Sequence, residues 1–461
     1  MSAKIKPLGP FSFYRQALSI ALPVMLQQLI MSMVSLIDNF MVAGLGDTSM
    51  AAVNVANHIF FIFIVLVNTI CGAGGIYLAQ FRGANDPEGM KNAFRFKMIF
   101  VLSGAVLFFI LYWTVPELML SLMTAGNASQ EEIIATGVLY IRITSFTLIP
   151  VAVSSAIGSS FREIGKPRIP ILISGAATII TTFGNWILIY GNLGAPRMEV
   201  AGAAISTVFA RLFEVAVFII YANRKKAPFY SQFSLILKVK WALIKKILSK
   251  SLLMFISESS WIASETVMVA LYNSRGGAET VAGMAGGWTI ANIFFLLFAG
   301  IWTTSAVLVG GSLGAGKLDE ARCRGKWIST GSVIAGVIIG ALGVFVSILL
   351  VPVVFAHLTS EARKISLGLV LVILAFLPLW SCLNALFSIC RAGGDTLMGL
   401  YTDAFVNFFV VIPGAFALAY LTSLGPVALF TILKLTDIAK LFIARYFYST
   451  GRWVKNLAVE S

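Results

Sequence analysis

Long apolar runs separated by short polar or Gly/Pro-bearing loops fill this chain from end to end. They fall at about 17–44, 51–80, 96–115, 133–160, 170–191 and 200–222, then at 250–274, 281–312, 327–355, 366–390, 398–422 and 424–447. A helix needs roughly 20 apolar residues to cross the hydrocarbon of a bilayer, and every run meets that length. The pattern predicts an all-α membrane protein with twelve transmembrane helices. Between the sixth and seventh runs, ANRKKAPFYSQFSLILKVKWALIKKI is basic and in its later part amphipathic, which predicts a linker over 224–247 carrying a helix along the membrane surface.

The second half repeats the first. A shift of 231 residues lays LGDTSMAAVNVANHIFFIF, starting at Leu45, over GGAETVAGMAGGWTIANIFF, starting at Gly276, and lays RGANDPEGMK from Arg82 over LGAGKLDEAR from Leu313. A shift of 229 pairs FREIGKP from Phe161 with CRAGGDT from Cys390. Six spans per half bring both halves in from the same side, so the repeats are parallel and related by an axis along the membrane normal. The expected organisation is an N-terminal lobe of helices 1–6 over residues 1–223, the linker, and a C-terminal lobe of helices 7–12 over 248–461. Two pseudo-symmetric six-helix lobes around a central cleft is the plan of alternating-access transporters.

Composition agrees: the chain is 58% hydrophobic and 12% charged, with a mean hydropathy of +0.90. It has no HExxH, Walker loop or GxSxG and no sizeable soluble domain, so neither an enzyme nor a nucleotide-driven pump is expected. The net charge of +14 sets orientation and does not call for nucleic acid. Assigning alternate loops to opposite sides puts 26 of the 34 Lys and Arg on the side of the N-terminus, four within spans and only Arg197, Arg275, Arg363 and Lys364 on the other side. That bias places both termini in the cytoplasm, in a plasma or inner membrane. The N-terminus, MSAKIKPLGPFSFYRQ, carries no cleavage site, so the first helix is read as retained. The four cysteines are scattered, form no CxxC, and read as reduced packing residues without a metal.

Against this apolar background a few polar groups stand out. On helix 1, Gln27, Gln28, Ser32, Ser35, Asp38 and Asn39 fall within an arc of roughly 140°. A carboxylate at the bilayer centre costs about 3 kcal/mol or more, which makes Asp38 a functional candidate; its place near the end of the run also fits an interfacial residue. Pro23 removes a backbone hydrogen bond and bends or loosens helix 1 some four turns from Asp38. On helix 7, Glu258 and Glu265 differ by only about 20° around the axis and offer a carboxylate ladder for a cation or a cationic drug, unless one pairs with a base such as Arg142. Under the shift of 231, Glu258 overlays Gln27. Asp403 and Asn407 share a face of helix 11. Arg211 and Glu214 are spaced to pair on helix 6, and Lys434, Asp437 and Lys440 on helix 12 are spaced to pair and snorkel to the cytoplasmic surface. The second coupling or substrate-binding set is therefore Glu258, Glu265, Gln27, Asp403 and Asn407.

The chain resembles the multidrug and toxic compound extrusion (MATE) family over essentially its whole length. The resemblance is carried by IDNFMVAGLGDTSMAAVNVA in helix 1 and its following loop, YIRI then FREIGKP around helix 4, GNWILIYG with GAAIST in helices 5 and 6, and RAGGDT before helix 11. It implies twelve helices, export of cationic or amphipathic organic compounds, and coupling to inward flow of H+ or Na+ with no other cofactor. It also implies a cation site in the N-terminal lobe whose positions here read Asp38, Thr181, Asn185 and Thr207, Thr181 standing where the family usually has Asn. Depth supports one layer: Asp38, Asn185 and Thr207 each lie about six residues from the outer end of their helix. Sodium would take the carboxylate, amide and hydroxyl oxygens, whereas a proton would need Asp38 alone; ordinary interhelical hydrogen bonding also accounts for Asn185 and Thr207. The resemblance matches Glu258 to a family glutamate and leads one to expect an apolar residue at 265. A flippase for lipid-linked oligosaccharides shares the two-lobed plan, and a channel or sensor is the reading from another class. A monomer in the lipid bilayer, exchanging small organic cations or amphipathic drugs, is the expected working form.

Overall fold

The computed structural model describes residues 6–43, 45–124, 130–356 and 358–459. All twelve apolar runs are helical: α1 (Phe11–Ala43), α2 (Asp47–Gly83), α3 (Pro87–Thr114), α4 (Gln130–Glu163, with a 3-10 turn at Ser145–Thr147), α5 (Arg168–Tyr190) and α6 (Glu199–Arg224) in the first half. In the second half come α7 (Trp241–Asn273), α8 (278–314, π-helical over Ala306–Gly310), α9 (Leu318–Val354), α10 (Ser360–Ala392), α11 (Leu397–Leu421) and α12 (426–449). A nine-residue helix, Pro116–Thr124, follows α3.

Among the described residues eleven helices are long and apolar enough to cross a membrane. The exception is α12, broken at Leu435 into segments of 9 and 14 residues and carrying Lys434, Asp437 and Lys440. The expected surface helix is not separate. Residues 225–240 form turns around a 3-10 segment at Phe233–Leu235, and the amphipathic WALIKKI is the start of α7, which runs unbroken to Asn273. No Gly or Pro stands between Trp241 and Asn273, so nothing interrupts propagation of the helix.

The internal repeat is written in the backbone as well as in the sequence. Each helix of the second half begins 227 to 231 residues after its counterpart. Asn85 and Gly316, paired by the shift of 231, both adopt left-handed φ values of 55° and 74°, and Gly165 and Gly394, paired by the shift of 229, both sit near 75°. Such turns close helices at equivalent points in the two halves. Local signals set the ends: Asp86 accepts from the Gly89 amide at 2.9 Å ahead of Pro87 at the start of α3, and Thr359 accepts from Ala362 N at the start of α10.

The chain divides into two compact units. One comprises Leu26–Arg82 and Asp86–Ile247; the other runs from Leu248 to the C-terminus and also takes the segment up to Met25 and the turn Gly83–Asn85. In the first unit α5 and α6 approach closely because Gly184 and Gly202 face them. A Cβ on Gly184 would collide with Ser206 Oγ, and one on Gly202 would lie 2.6 Å from the Leu188 carbonyl. In the second unit the start of α1 is buried: Phe13 and Ile20 pack in one cluster with Leu297, Ile301, Leu308 and Ile328. The division of α1 falls two residues after Pro23.

The C-terminal segment is folded back onto the end of α10. Trp453 is 2% exposed, its indole nitrogen donates to Tyr448 O at 3.0 Å, and a Cβ on Gly393 would collide with its carbonyl oxygen. Gly393→Ala is therefore expected to displace this segment at about 1–3 kcal/mol, read as a lower unfolding midpoint of the purified protein together with greater quenching of Trp453 fluorescence.

Candidate functional site

In the first unit a carboxylate, an amide and a pair of hydroxyls come from three helices. Asn185 on α5 is 2% exposed and its Nδ2 donates to Asp38 Oδ1 at 2.8 Å, joining α5 to α1. The amide oxygen of Asn185 is buried and has no hydrogen-bond partner among the described residues. Asp38 itself is half-buried, lies within electrostatic reach of Arg211 and of the Tyr140 hydroxyl, and forms no ion pair among the described residues. Arg211 is already committed: its Nη1 meets Glu214 Oε2 at 2.8 Å, as the spacing of three predicts, and Glu214 also accepts the Ser174 hydroxyl at 2.6 Å. Thr181 and Thr207 donate their hydroxyls back to the carbonyls of Ala177 and Ala203, and Ser206 ties α6 to α5 through the carbonyl of Thr181. Ser35 and Asn39 fall where side chains lie outside the described residues.

A second polar centre of this unit has no precursor in the sequence reading. Lys97 on α3, with a fully buried side chain, forms an ion pair with Glu163 at the end of α4 and donates to Ser159 and Ser160 at 3.1 and 3.3 Å. The pair closes over Gly75, where a side chain would collide with the carboxylate. Glu163 stands in the repeat loop FREIGKP, but its partner lies 66 residues away and no short-range spacing announces it.

The second unit holds the other candidates, and here partners change their meaning. Glu258 Oε1 meets Arg391 Nη2 at 2.8 Å, and Glu265 pairs with Lys434 of α12. The two glutamates are thus not an open carboxylate ladder, and Arg142 is not the base: its guanidinium lies over the Trp113 ring, 5.8 Å from the centroid, in the first unit. Nor do the lysines of α12 snorkel. Lys434, Asp437 and Lys440 are 9, 6 and 6% exposed, Lys434 lies over the rings of Phe430 and Trp380, and Asp437 takes both Lys440 and the Trp380 indole. Buried charges have to be paired: Asp437 and Lys440 meet at the spacing of three that the sequence predicts, while Lys434 finds Glu265 and Lys440 also finds Asn407 on other helices.

Asp403 and Asn407 both lie within reach of Lys440. The stretch is π-helical from Leu400 to Phe405 and from Asn407 to Val411. Asp403 accepts the Ser257 hydroxyl at 2.7 Å, while Asn407 accepts Lys440 Nζ at 2.8 Å and leaves its own Nδ2 unpartnered. Gln27 is buried and belongs to the first unit. Sequence reasoning misses Arg391, which lies in CRAGGDT at the end of α10, Ser257, and the pair Lys97 and Glu163.

Chemically, Asp38 differs from the two glutamates of α7. Asp38 is held by an amide, which leaves it free to gain and lose a proton or, with the spare oxygen of Asn185, to hold a monovalent cation. Each glutamate of α7 is already neutralised by a base.

Comparison with known proteins follows the same lines. The family model MatE matches residues 23–187 and again 251–417, so that the two matches begin 228 and end 230 residues apart. A probable multidrug resistance protein NorM of Thermotoga maritima is 22% identical over 451 residues, covering 96% of this chain and 93% of the relative. The Neisseria meningitidis serogroup A protein of the same name is 24% identical over 71% of each chain. Among solved structures, a mutant form of the Vibrio cholerae MATE transporter VcmN superposes with a TM-score of 0.82 at 18% identity, covering 97% of this chain and 99% of that one. An outward-facing multidrug resistance MATE transporter of the MOP superfamily gives 0.80 at 18%, covering 95 and 96%. One family model fitting both halves at the repeat offset, on a fold shared from end to end, places this multi-pass membrane protein in the MATE family of transporters.

Proposed function

We propose that this protein is a secondary active antiporter of the cell membrane, with both termini cytoplasmic, that exports cationic or amphipathic organic compounds in exchange for protons taken up at Asp38. The observation that carries the reading is the state of Asp38: a carboxylate within an apolar helix, hydrogen-bonded to Asn185 and without a basic partner among the described residues. An ion-paired carboxylate is held charged by its base, whereas an unpaired one in a poorly solvated place exchanges a proton readily. The substrate class rests on the relatives, which are named probable multidrug resistance proteins.

Protons are favoured over sodium because Thr181 stands where the family usually has Asn, which leaves fewer strong oxygen ligands around Asp38. One observation supports sodium instead: the unpartnered Asn185 Oδ1 beside Asp38 is a ligand oxygen. The test is efflux of a preloaded fluorescent organic cation from proteoliposomes, with inward proton and sodium gradients imposed one at a time. Acceleration by the proton gradient is expected. Acceleration by sodium alone moves the coupling to that ion, and a flux that neither saturates nor responds to either gradient replaces the antiporter with a channel.

A further inference from the structure

Lys434 of α12 is held the way a receptor holds an organic ammonium. Its Nζ lies 5.3 Å from the centroid of the Phe430 ring and 5.8 Å from that of Trp380, and it pairs with the Glu265 carboxylate of α7. A carboxylate beside the faces of aromatic rings is the chemistry that selects organic cations, because the ring quadrupole attracts a positive charge. The rings are braced by their own neighbours. Trp380 donates its indole hydrogen to Asp437 Oδ2 at 2.8 Å and makes an edge contact with Phe295 at 5.9 Å, while Trp288 stands at 89° to Phe430 with centroids 5.7 Å apart. All of these residues belong to the second unit, on α7, α8, α10 and α12.

The pair is not sealed in. The side chains of Lys434 and Glu265 are 11 and 20% exposed, and Trp288 and Phe295 are half-buried, so the acid and the outer rings can be reached from the surface. The helix that carries the ammonium is interrupted beside it: Lys434 ends the segment Pro426–Lys434, and exposed Leu435 separates it from Thr436–Ser449. Interrupted helices are where transporters build substrate sites. The acid is not the one that the family resemblance singles out, which is Glu258 and meets Arg391. A poorly solvated carboxylate needs a cation, and here the chain supplies one on a tether.

We infer that Glu265, Phe430 and Trp380 form a subsite for an organic monocation, that Lys434 is its resident occupant, and that an incoming cation binds by displacing the Lys434 ammonium. Exchanging one monocation for another leaves the charge beside Glu265 unchanged, so selection falls on contact with the rings. A primary ammonium is compact and strongly hydrated, and a cation with its charge spread over an aromatic body offers the rings more. Lys434 is thereby a specificity-determining residue that reserves the carboxylate for such cations. The subsite takes its substrate class from the efflux reading, but its test measures binding without any gradient. Its failure leaves the coupling role of Asp38 untouched, and a flux that ignores both gradients leaves the binding result standing.

The experiment is equilibrium binding of ethidium, an aromatic monocation, to the purified full-length protein, with the neutral aromatic N-phenyl-1-naphthylamine as control probe. Lys434→Gln keeps a hydrogen-bond donor for Glu265 but no charge; it should bind ethidium about tenfold more tightly than the parent, with the neutral probe changed about twofold or less. The double variant Lys434→Gln, Glu265→Gln should lose the gain, and Lys434→Arg, which keeps a tethered cation, should show none. Saturating ethidium should also raise the unfolding midpoint of Lys434→Gln more than that of the parent, a result that a purely structural lysine does not give. Should the Lys434 variants fail to fold, Glu265→Gln alone decides: weaker ethidium binding with the neutral probe unchanged supports the subsite, and unchanged ethidium binding overturns it. Equal gains for the two probes, a gain that survives in the double variant, or ethidium affinity unaltered by Lys434→Gln likewise overturns the inference.

Discussion

Asp38→Asn should uncouple transport while leaving the fold in place. The amide that replaces the carboxylate still accepts from Asn185 Nδ2, so the link between α1 and α5 survives, but the side chain no longer gains or loses a proton and carries no charge for a cation. Coupling between two sites is commonly worth 5–150-fold, and a loss of gradient-driven efflux of roughly tenfold or more is expected in proteoliposomes, with substrate binding retained. The companion Asn185→Ala should weaken coupling less, since it removes the positioning amide and not the titrating group. Efflux by the Asp38→Asn protein with undiminished dependence on the proton and sodium gradients would show that the coupling step lies elsewhere.

The largest effect on stability is expected at Lys97 and Glu163. The ammonium has no exposed surface and is satisfied by the Glu163 carboxylate and two serine hydroxyls. Glu163→Leu strands a buried positive charge, and removing one member of such a pair costs about 3–5 kcal/mol. Lys97→Met alone leaves the carboxylate without its base and falls in the same range. The double variant, Lys97→Met with Glu163→Leu, removes both charges at once and should regain most of the loss. Unfolding midpoints of the four purified proteins test this; a single variant as stable as the parent, or a double variant no better than either single, contradicts it.

Much of the architecture was legible because a bilayer imposes a simple rule on sequence. Loops announced themselves through Gly, Pro and charge, and the helix ends fall within a few residues of the apolar runs except where amphipathic turns extend them, as Trp241–Ile247 does for α7. The repeat was legible because its markers sit in tight turns, where Asn85, Gly165, Gly316 and Gly394 are constrained by backbone geometry. Charge pairing between helices was not. Helical spacing found Arg211 with Glu214 and Asp437 with Lys440, each three residues apart, but it also assigned Lys434 and Lys440 to the surface, although Glu265 and Asn407, which they meet, stand 169 and 33 residues away on other helices. Periodicity reports which side of a helix a residue occupies, never which neighbour that side meets. The π-helical turns of α11 went unseen for a related reason: nothing in LYTDAFVNFFVV distinguishes wide turns from ordinary ones.

The manner in which the second unit hides its charges has a consequence for how such a chain changes over generations. Glu258 with Arg391, Glu265 with Lys434 and Asp437 with Lys440 are each tolerable only together. A lineage that drops one partner inherits a stranded ion and is under immediate pressure to neutralise the other. Descendants should therefore keep or exchange these residues in couples, so that an apolar side chain at 391 travels with the loss of the acid at 258, even though the two positions lie 133 residues apart in the gene product.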